Sequence, residues 1–305
     1  MTSATLDLMT LNTWGFSWPL AKDRKRRFDR IASHLAEDRY DVVLLQELWG
    51  GARPTLGDNG MVWVAEESQT GKGVRPTESG LGVKVRRGLE RSVATVRDLV
   101  RSFKHHRGWD RVKTKGHLGV EVHTGTAGPV TFVNTHLQAG EAEAKVRRSQ
   151  LDELLEAVDA VESPVVLCGD FNLYDSSHED RAAHASLERH GFRDASLLVD
   201  RPEATYLSGN PYVGGNADHR FDRIYLRDGR GRSARVHLGA ESVRVIVDHR
   251  APFSDHEAVA ARIRVTRDAG GVPAPRERRW DVTRACRPGA RSRSRRAPWP
   301  RRRPG

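Results

Sequence analysis

Nine short apolar runs, most of them β-branched, punctuate residues 6–265, against only two stretches of helical periodicity. The runs are Leu6–Leu11, Val42–Leu45, Leu81–Val85, Leu118–Val122, Val130–Val133, Val165–Leu167, Phe221–Leu226, Val243–Val247 and Ala258–Val265. Each has strand length and strand composition. The helical stretches carry Phe28, Ile31, Ala32 and Leu35, then Leu151, Leu154, Leu155 and Val158, at i, i+3, i+4 and i+7, so each presents one apolar face. Many strands with few helices predict an α/β sandwich in which two sheets pack together and helices lie outside.

The strands share a habit. Asn12 closes the first, Glu47 the second, Asn134-Thr135-His136 follows Val130–Val133, and Gly169-Asp170-Phe171-Asn172 follows Val165–Leu167. Strand ends are where loops converge in layered α/β folds, so these groups can meet in one cleft. Singly, each has an ordinary reading. A Glu at a strand end is a solvated loop acid, Gly-Asp-x-Asn is an Asx turn, and a lone histidine is a hydrogen-bonded structural one. Together they point to a site.

Period-two alternation puts Asp222 on the same face as Ile224 and Leu226, and a buried acid needs a partner. The candidate is His256, in Ser254-Asp255-His256 ahead of the last strand. A carboxylate on one imidazole nitrogen fixes the tautomer and raises the basicity of the other, as a general base requires. The alternative pairs Asp222 with Arg220 or Arg223 at the surface. The remaining donors are hard oxygens, from Glu47, Asp170 and Asp255 with the amides of Asn12 and Asn172, which favours Mg²⁺ or Mn²⁺ over Zn²⁺. Glu47 is the first choice as direct ligand.

The net charge of +11 suggests a polyanionic partner until it is located. Residues 267–305 hold thirteen Arg against three acids, leaving +1 for residues 1–266. That Arg/Pro-rich segment, with only Trp280 and Trp299 as large apolar residues, is expected to be a disordered tail following a catalytic domain at 1–266, with weak contact to anionic surfaces as its alternative role. Cys168 and Cys286 form no metal or disulfide spacing. No apolar run reaches the roughly 18 residues of a membrane span and no signal peptide is legible, so the chain is read as cytoplasmic and monomeric.

The motifs LNTWG (11–15), LLQELW (44–49), NTHL (134–137), CGDFN (168–172), FDRIYL (221–226) and SDHEAV (254–259) resemble, in order, those of the endonuclease/exonuclease/phosphatase superfamily with its deoxyribonuclease I-like fold. Within it the chain looks most like the neutral sphingomyelinases, on Leu48-Trp49, Gln138-Ala139, Lys115-Gly116 and the Arg-rich stretch 24–30. The resemblance implies a four-layer α/β sandwich of two largely antiparallel sheets with outer helices. It implies Mg²⁺ at Glu47 with Asn12 beside it and Asp255 orienting the site. It further implies His256 with Asp222 as the base, His136 and Asn172 on phosphoryl oxygens, and Asp170 assisting the attacking or leaving oxygen. Glu78 falls where nucleases of this fold set an acid against the first histidine. The expected activity is hydrolysis of a phosphodiester, in a phospholipid headgroup of the sphingomyelin kind. The alternatives are a nuclease acting on DNA or RNA, a small-molecule phosphatase, and an inactive binding module. The membrane anchor or exposed apolar hairpin common among sphingomyelinases is not legible here.

Overall fold

The computed structural model describes residues 1–16, 19–49, 56–57, 59–66, 79–111, 113–231 and 235–268. Its strands are β1 (Thr2–Asn12), β2 (Val42–Gln46), β3 (Met61–Glu66), β4 (Gly82–Arg86), β5 (Val93–Ser102), β6 (Gly116–His123), β7 (Pro129–His136), β8 (Val165–Asp170), β9 (Arg193–Asp194), β10 (Asp222–Arg227), β11 (Val236–Ile246) and β12 (Ala258–Arg267). The α-helices are α1 (Arg24–Glu37), α2 (Ala144–Asp159), α3 (His178–Arg189) and α4 (Ala195–Leu198). One sheet runs β11-β12-β1-β2-β4-β3 and the other β5-β6-β7-β8-β10-β9. Only β1–β2 and β7–β8 are parallel pairs among these ladders.

Alternation along the strands builds three apolar layers. In β1, Leu6 and Leu8 face the space between the sheets, where they join Val42, Leu44, Phe132, Val166, Ile224 and Ile263. Met9 and Leu11 face outward onto Phe28, Ile31 and Leu35 of α1. On the other flank, Leu151, Leu154 and Leu155 of α2 and Leu187 of α3 cover Val133, Val165 and Leu167. Burying both strand faces accounts for the near-continuous apolar runs in the sequence. Each of the nine expected runs lies in or overlaps a strand, and both expected helices are present. Cys168 lies in the middle layer, where burial pushes its thiol up and leaves it inert.

Two polar devices hold this frame near the strand ends. Gln46 Nε2 donates across the sheets to Asn134 Oδ1 at 2.6 Å and to Thr10 Oγ1 at 3.0 Å, while Asn134 Nδ2 donates to the carbonyls of Leu45 and Gly82 at 2.8 and 3.1 Å. Arg147 of α2, fully buried, donates to both oxygens of Asp180 in α3 at 3.1 and 2.7 Å and to the Gln138 and Gly140 carbonyls. Asp180 also accepts from Tyr174 N at 3.1 Å. One ion pair thereby fixes the loops that follow β7 and β8. Removing one partner of a buried pair strands the other charge, so Arg147→Met is expected to lose about 3–5 kcal/mol of unfolding free energy. Urea denaturation of the variant against the parent measures it, and a loss below about 1 kcal/mol contradicts this role.

The Arg/Pro-rich tail expected after residue 266 lies, from 269 onward, outside the described residues. No helix among the described residues is long and apolar enough to cross a membrane.

Candidate active site

The C-terminal ends of β1, β2, β7 and β8 and the N-terminal ends of β10 and β12 meet at one pole of the sandwich, because β10 runs antiparallel to β8 and β12 antiparallel to β1. In the paired registers, His136 lies beside Asp170 and Asp170 beside Asp222. Gly169 permits this approach. Its φ is 139°, and a Cβ there would sit 1.9 Å from the Thr135 carbonyl oxygen, so no side chain fits.

Asp170, 1% exposed, is the hub. Its Oδ2 accepts from Asn12 Nδ2 at 3.0 Å and lies 3.2 Å from His136 Nε2, and its Oδ1 accepts from the Asn172 backbone N–H at 3.0 Å. Burial pushes this carboxyl up, but His136, His256 and Lys115 together hold it well below the usual carboxylate range. Asp222 Oδ2 accepts from His256 Nδ1 at 2.8 Å and from Thr205 Oγ1 at 2.7 Å. The far nitrogen, His256 Nε2, is 3.8 Å from Asp170 Oδ2. Burial alone would lower the His256 pKa, yet Asp222, Asp170 and Asp255 raise it well above the ordinary imidazole value. For Asp222 burial wins and raises the carboxyl. Arg220 and Arg223, the surface alternatives for Asp222, pair instead with Asp194 and Asp175.

Glu47 follows β2 in a left-handed conformation, φ 58°. Its carbonyl accepts from Gly15 N at 3.0 Å, Trp49 N at 2.8 Å and Thr13 Oγ1 at 3.2 Å. Its carboxylate stands 3.8 Å from both Lys115 Nζ and His136 Nε2. Asp255 Oδ1 accepts from Ser254 Oγ at 3.0 Å. Burial, opposed by His256 and reinforced by the negative charge of Glu47, pushes the Asp255 carboxyl up to about 6. Two acids that repel one another at a buried strand end, with the nearest ammonium 3.8 Å from one of them, suit a divalent ion bound by oxygens.

All eight residues singled out in the sequence reach this pole. Asn12, His136, Asp170, Asn172, Asp222 and His256 form one linked set, and Glu47 adjoins it through His136. Asn12 is placed to orient Asp170 as much as to bind an ion, since its Oδ1 already accepts from Trp14 N at 3.0 Å. Asn172, at φ 50°, donates its amide to the Leu137 carbonyl at 3.1 Å. Glu78 lies outside the described residues.

Three neighbours take on roles the sequence did not assign them, although Lys115 and Arg27 lie in stretches that carry the sphingomyelinase resemblance. Lys115, 2% exposed, brings its ammonium to 2.6 Å from His136 Nε2. Thr205 sits in a loop without periodicity and is tied to the Glu257 N–H by its carbonyl at 2.7 Å. Arg27 of α1, fully buried, donates to the carbonyls of Thr13, Trp14 and Lys22 at 2.7, 2.9 and 2.9 Å and so sets the loop after Asn12.

Comparison with known proteins bears on the fold that carries these residues. TDP2 of D. rerio, solved in complex with single strand DNA product, superposes with a TM-score of 0.63 at 20% identity, over 85% of this chain and 99% of that one. Beta toxin of Staphylococcus aureus, as a double mutant with bound magnesium ions, gives 0.60 at 17% identity over 85% and 99%. At these identities the likeness is one of fold. A Drosophila melanogaster protein named as a neutral sphingomyelinase is 46% identical over 44 residues, which is 14% of this chain and a tenth of that protein's length. Residues 9–256, from the middle of β1 to the histidine paired with Asp222, match the sequence profile of the Endonuclease/Exonuclease/phosphatase family. With its two six-stranded sheets and that matched span, the chain belongs to the endonuclease/exonuclease/phosphatase family.

Proposed function

We propose that the protein is a divalent-metal-dependent phosphodiesterase that hydrolyses its substrate by direct attack of water. The observation that carries this reading is the buried Asp222–His256 pair, 2.8 Å apart, with the free His256 nitrogen turned toward Asp170. His256 Nε2 takes the proton of the attacking water while Asp222 holds Nδ1–H and balances the imidazolium that forms. His136 and the Asn172 amide would hold phosphoryl oxygens, backed by the Lys115 ammonium, so that charge developing on phosphorus meets fixed donors. Asp170 would orient both histidines and the oxygen between them.

Glu47 would hold the metal directly, with Asp255 and Asn12 orienting it. Mg²⁺, or Mn²⁺ in its place, would polarise the phosphoryl oxygen and neutralise its charge. Asp170, Asp222 and His256 also lie close enough to share an ion, their ligand atoms falling within 4.8 Å of one another. Yet the Asp222 oxygen nearest His256 already accepts two hydrogen bonds, which suits an acid–base pair better than a ligand set.

Members of this family are hydrolases of phosphoester bonds, and the neighbours include both a DNA-bound protein and one named for sphingomyelin. A phospholipid headgroup is the substrate class we favour, because residues 1–266 carry a net charge of only +1 and offer little general attraction for a polynucleotide. Purified protein is expected to hydrolyse sphingomyelin in detergent micelles in the presence of Mg²⁺ and to lose that activity in EDTA. Nicking of plasmid DNA with the lipid untouched would replace the lipid reading by a nuclease. Full activity in EDTA would remove the metal.

A further inference from the structure

Trp109 is the only exposed Trp, Tyr or Phe among the described residues, with 77% of its surface in solvent. It lies in the short 3₁₀ turn Gly108–Arg111, and the exposed side chains flanking it in sequence are Lys104, His105, Arg107 and Arg111, with Lys113 partly exposed and its ammonium 5.7 Å from the Trp49 ring centroid. The one acid in that stretch, Asp110, is buried and turned inward, 3.7 Å from Lys115 Nζ. Glu143 reaches Arg107 only at 3.8 Å.

The turn is held rigidly at the active-site pole. Lys113 N donates to the Trp109 carbonyl at 3.1 Å and Phe103 N to that of Lys115 at 2.9 Å. Gln138, two residues beyond His136, accepts from Arg107 N at 2.8 Å and donates to the Arg107 carbonyl at 3.2 Å. Ala139 N donates to Asp110 at 3.2 Å. The segment then enters β6 at Gly116, whose register partner is His136. A preorganised turn that leaves an indole in water gains nothing for the fold from that exposure.

We propose that Trp109 and the cations around it form an interfacial docking surface that seats the active-site pole on an anionic phospholipid bilayer. An indole is favoured at the boundary of headgroups and acyl chains, where its ring is covered and its N–H stays wet. Flanking Lys and Arg at the same level add attraction to acidic lipids. Single-stranded nucleic acid would use an exposed ring as well. It calls for a charged groove tracking successive phosphates, however, whereas these cations flank one projecting side chain within a single short segment. The inference rests on the phospholipid reading of the site and supplies the membrane contact that the sequence did not reveal.

The test is sedimentation of the full chain and its W109A variant with phosphatidylcholine vesicles containing about 30% phosphatidylserine, near physiological salt. W109A is expected to bind at least about tenfold more weakly, with R107E weakened too. Hydrolysis of a soluble bis-aryl phosphodiester should be unchanged in W109A. Equal sedimentation of W109A and parent overturns the proposal. So does a W109A defect confined to binding of a single-stranded oligonucleotide. The two readings fail separately, because sphingomyelin turnover in detergent micelles reports the substrate class and vesicle binding reports the surface.

Discussion

His256→Ala lowers the turnover of a phosphodiester by about 10³-fold or more. The ring lies between Asp222, which takes its Nδ1 proton, and the cleft, where Nε2 faces Asp170. Removing it deletes the proton acceptor and also leaves the buried Asp222 carboxylate without its imidazole partner, so a loss of stability accompanies the loss of turnover. Asp222→Asn is the sharper variant. It keeps the shape and the Thr205 contact but removes the charge that steadies the imidazolium, and a loss of about 10²–10⁴ is expected. In the parent, activity should rise with pH through the raised His256 pKa, because the base works only when neutral. That limb should move down in Asp222→Asn, where the charge that raised the pKa is gone. The sign for stability is opposite. A folded pKa above the unfolded one gives stabilisation that is complete below the ordinary imidazole range and fades as pH rises through the folded value. Initial rates across pH, beside thermal melts of the same proteins, separate the two effects. Turnover within tenfold of the parent in His256→Ala would remove the base from the mechanism.

Apolar patterning made the frame legible because the strands beneath the site are buried on both faces, and double burial writes long runs of Val, Leu and Ile. Where an element is half exposed that signal fades. Edge strand β5 reads Val-Ala-Thr-Val-Arg-Asp-Leu-Val-Arg-Ser and shifts register between Thr95 and Val100, so its alternation breaks. Helix α3 covers its sheet with Ala183 and Leu187, too little apolar surface to mark a face. At the site, the Asp222–His256 pairing was readable because a lone acid on the core face of β10 requires a partner. Thr205 was not readable, for its contribution is one hydroxyl on a loop with no periodicity. Arg27 and Arg147 appear in the sequence as ordinary helix-surface cations and turn out to be buried cross-links, because nothing local tells an arginine that faces solvent from one that faces carbonyls. Trp109 was equally silent, since exposure of an aromatic is a property of the assembled surface.

Glu47→Gln should sever the link between metal and activity without harming the apo fold. The Glu47 carbonyl is held by three donors, and the residue adopts φ 58°, a conformation that is costly outside glycine and persists at sites where the surroundings fix it. Glutamine tolerates that conformation as well as glutamate does and fills the same space. What changes is charge. The carboxylate lies 3.8 Å from the Lys115 ammonium and raises the pKa of Asp255. Losing it should therefore relieve repulsion on Asp255 and let that carboxyl fall from about 6 toward its ordinary value, offset by the lost contact to the buried Lys115 ammonium, which keeps Asp110 at 3.7 Å, so stability should change little. Mg²⁺ separates the two proteins. An ion that binds only the folded state stabilises by RT ln(1 + [Mg²⁺]/Kd), so the parent's melting temperature should climb with added Mg²⁺ and that of Glu47→Gln should stay nearly flat. Turnover should fall by about 10²-fold or more, with partial recovery at high Mg²⁺ if Asp255 and Asn12 still hold the ion weakly. A melting temperature that tracks Mg²⁺ in the variant as in the parent would move the ion away from Glu47, toward the Asp170, Asp222 and His256 group, and the base would then have to be sought elsewhere.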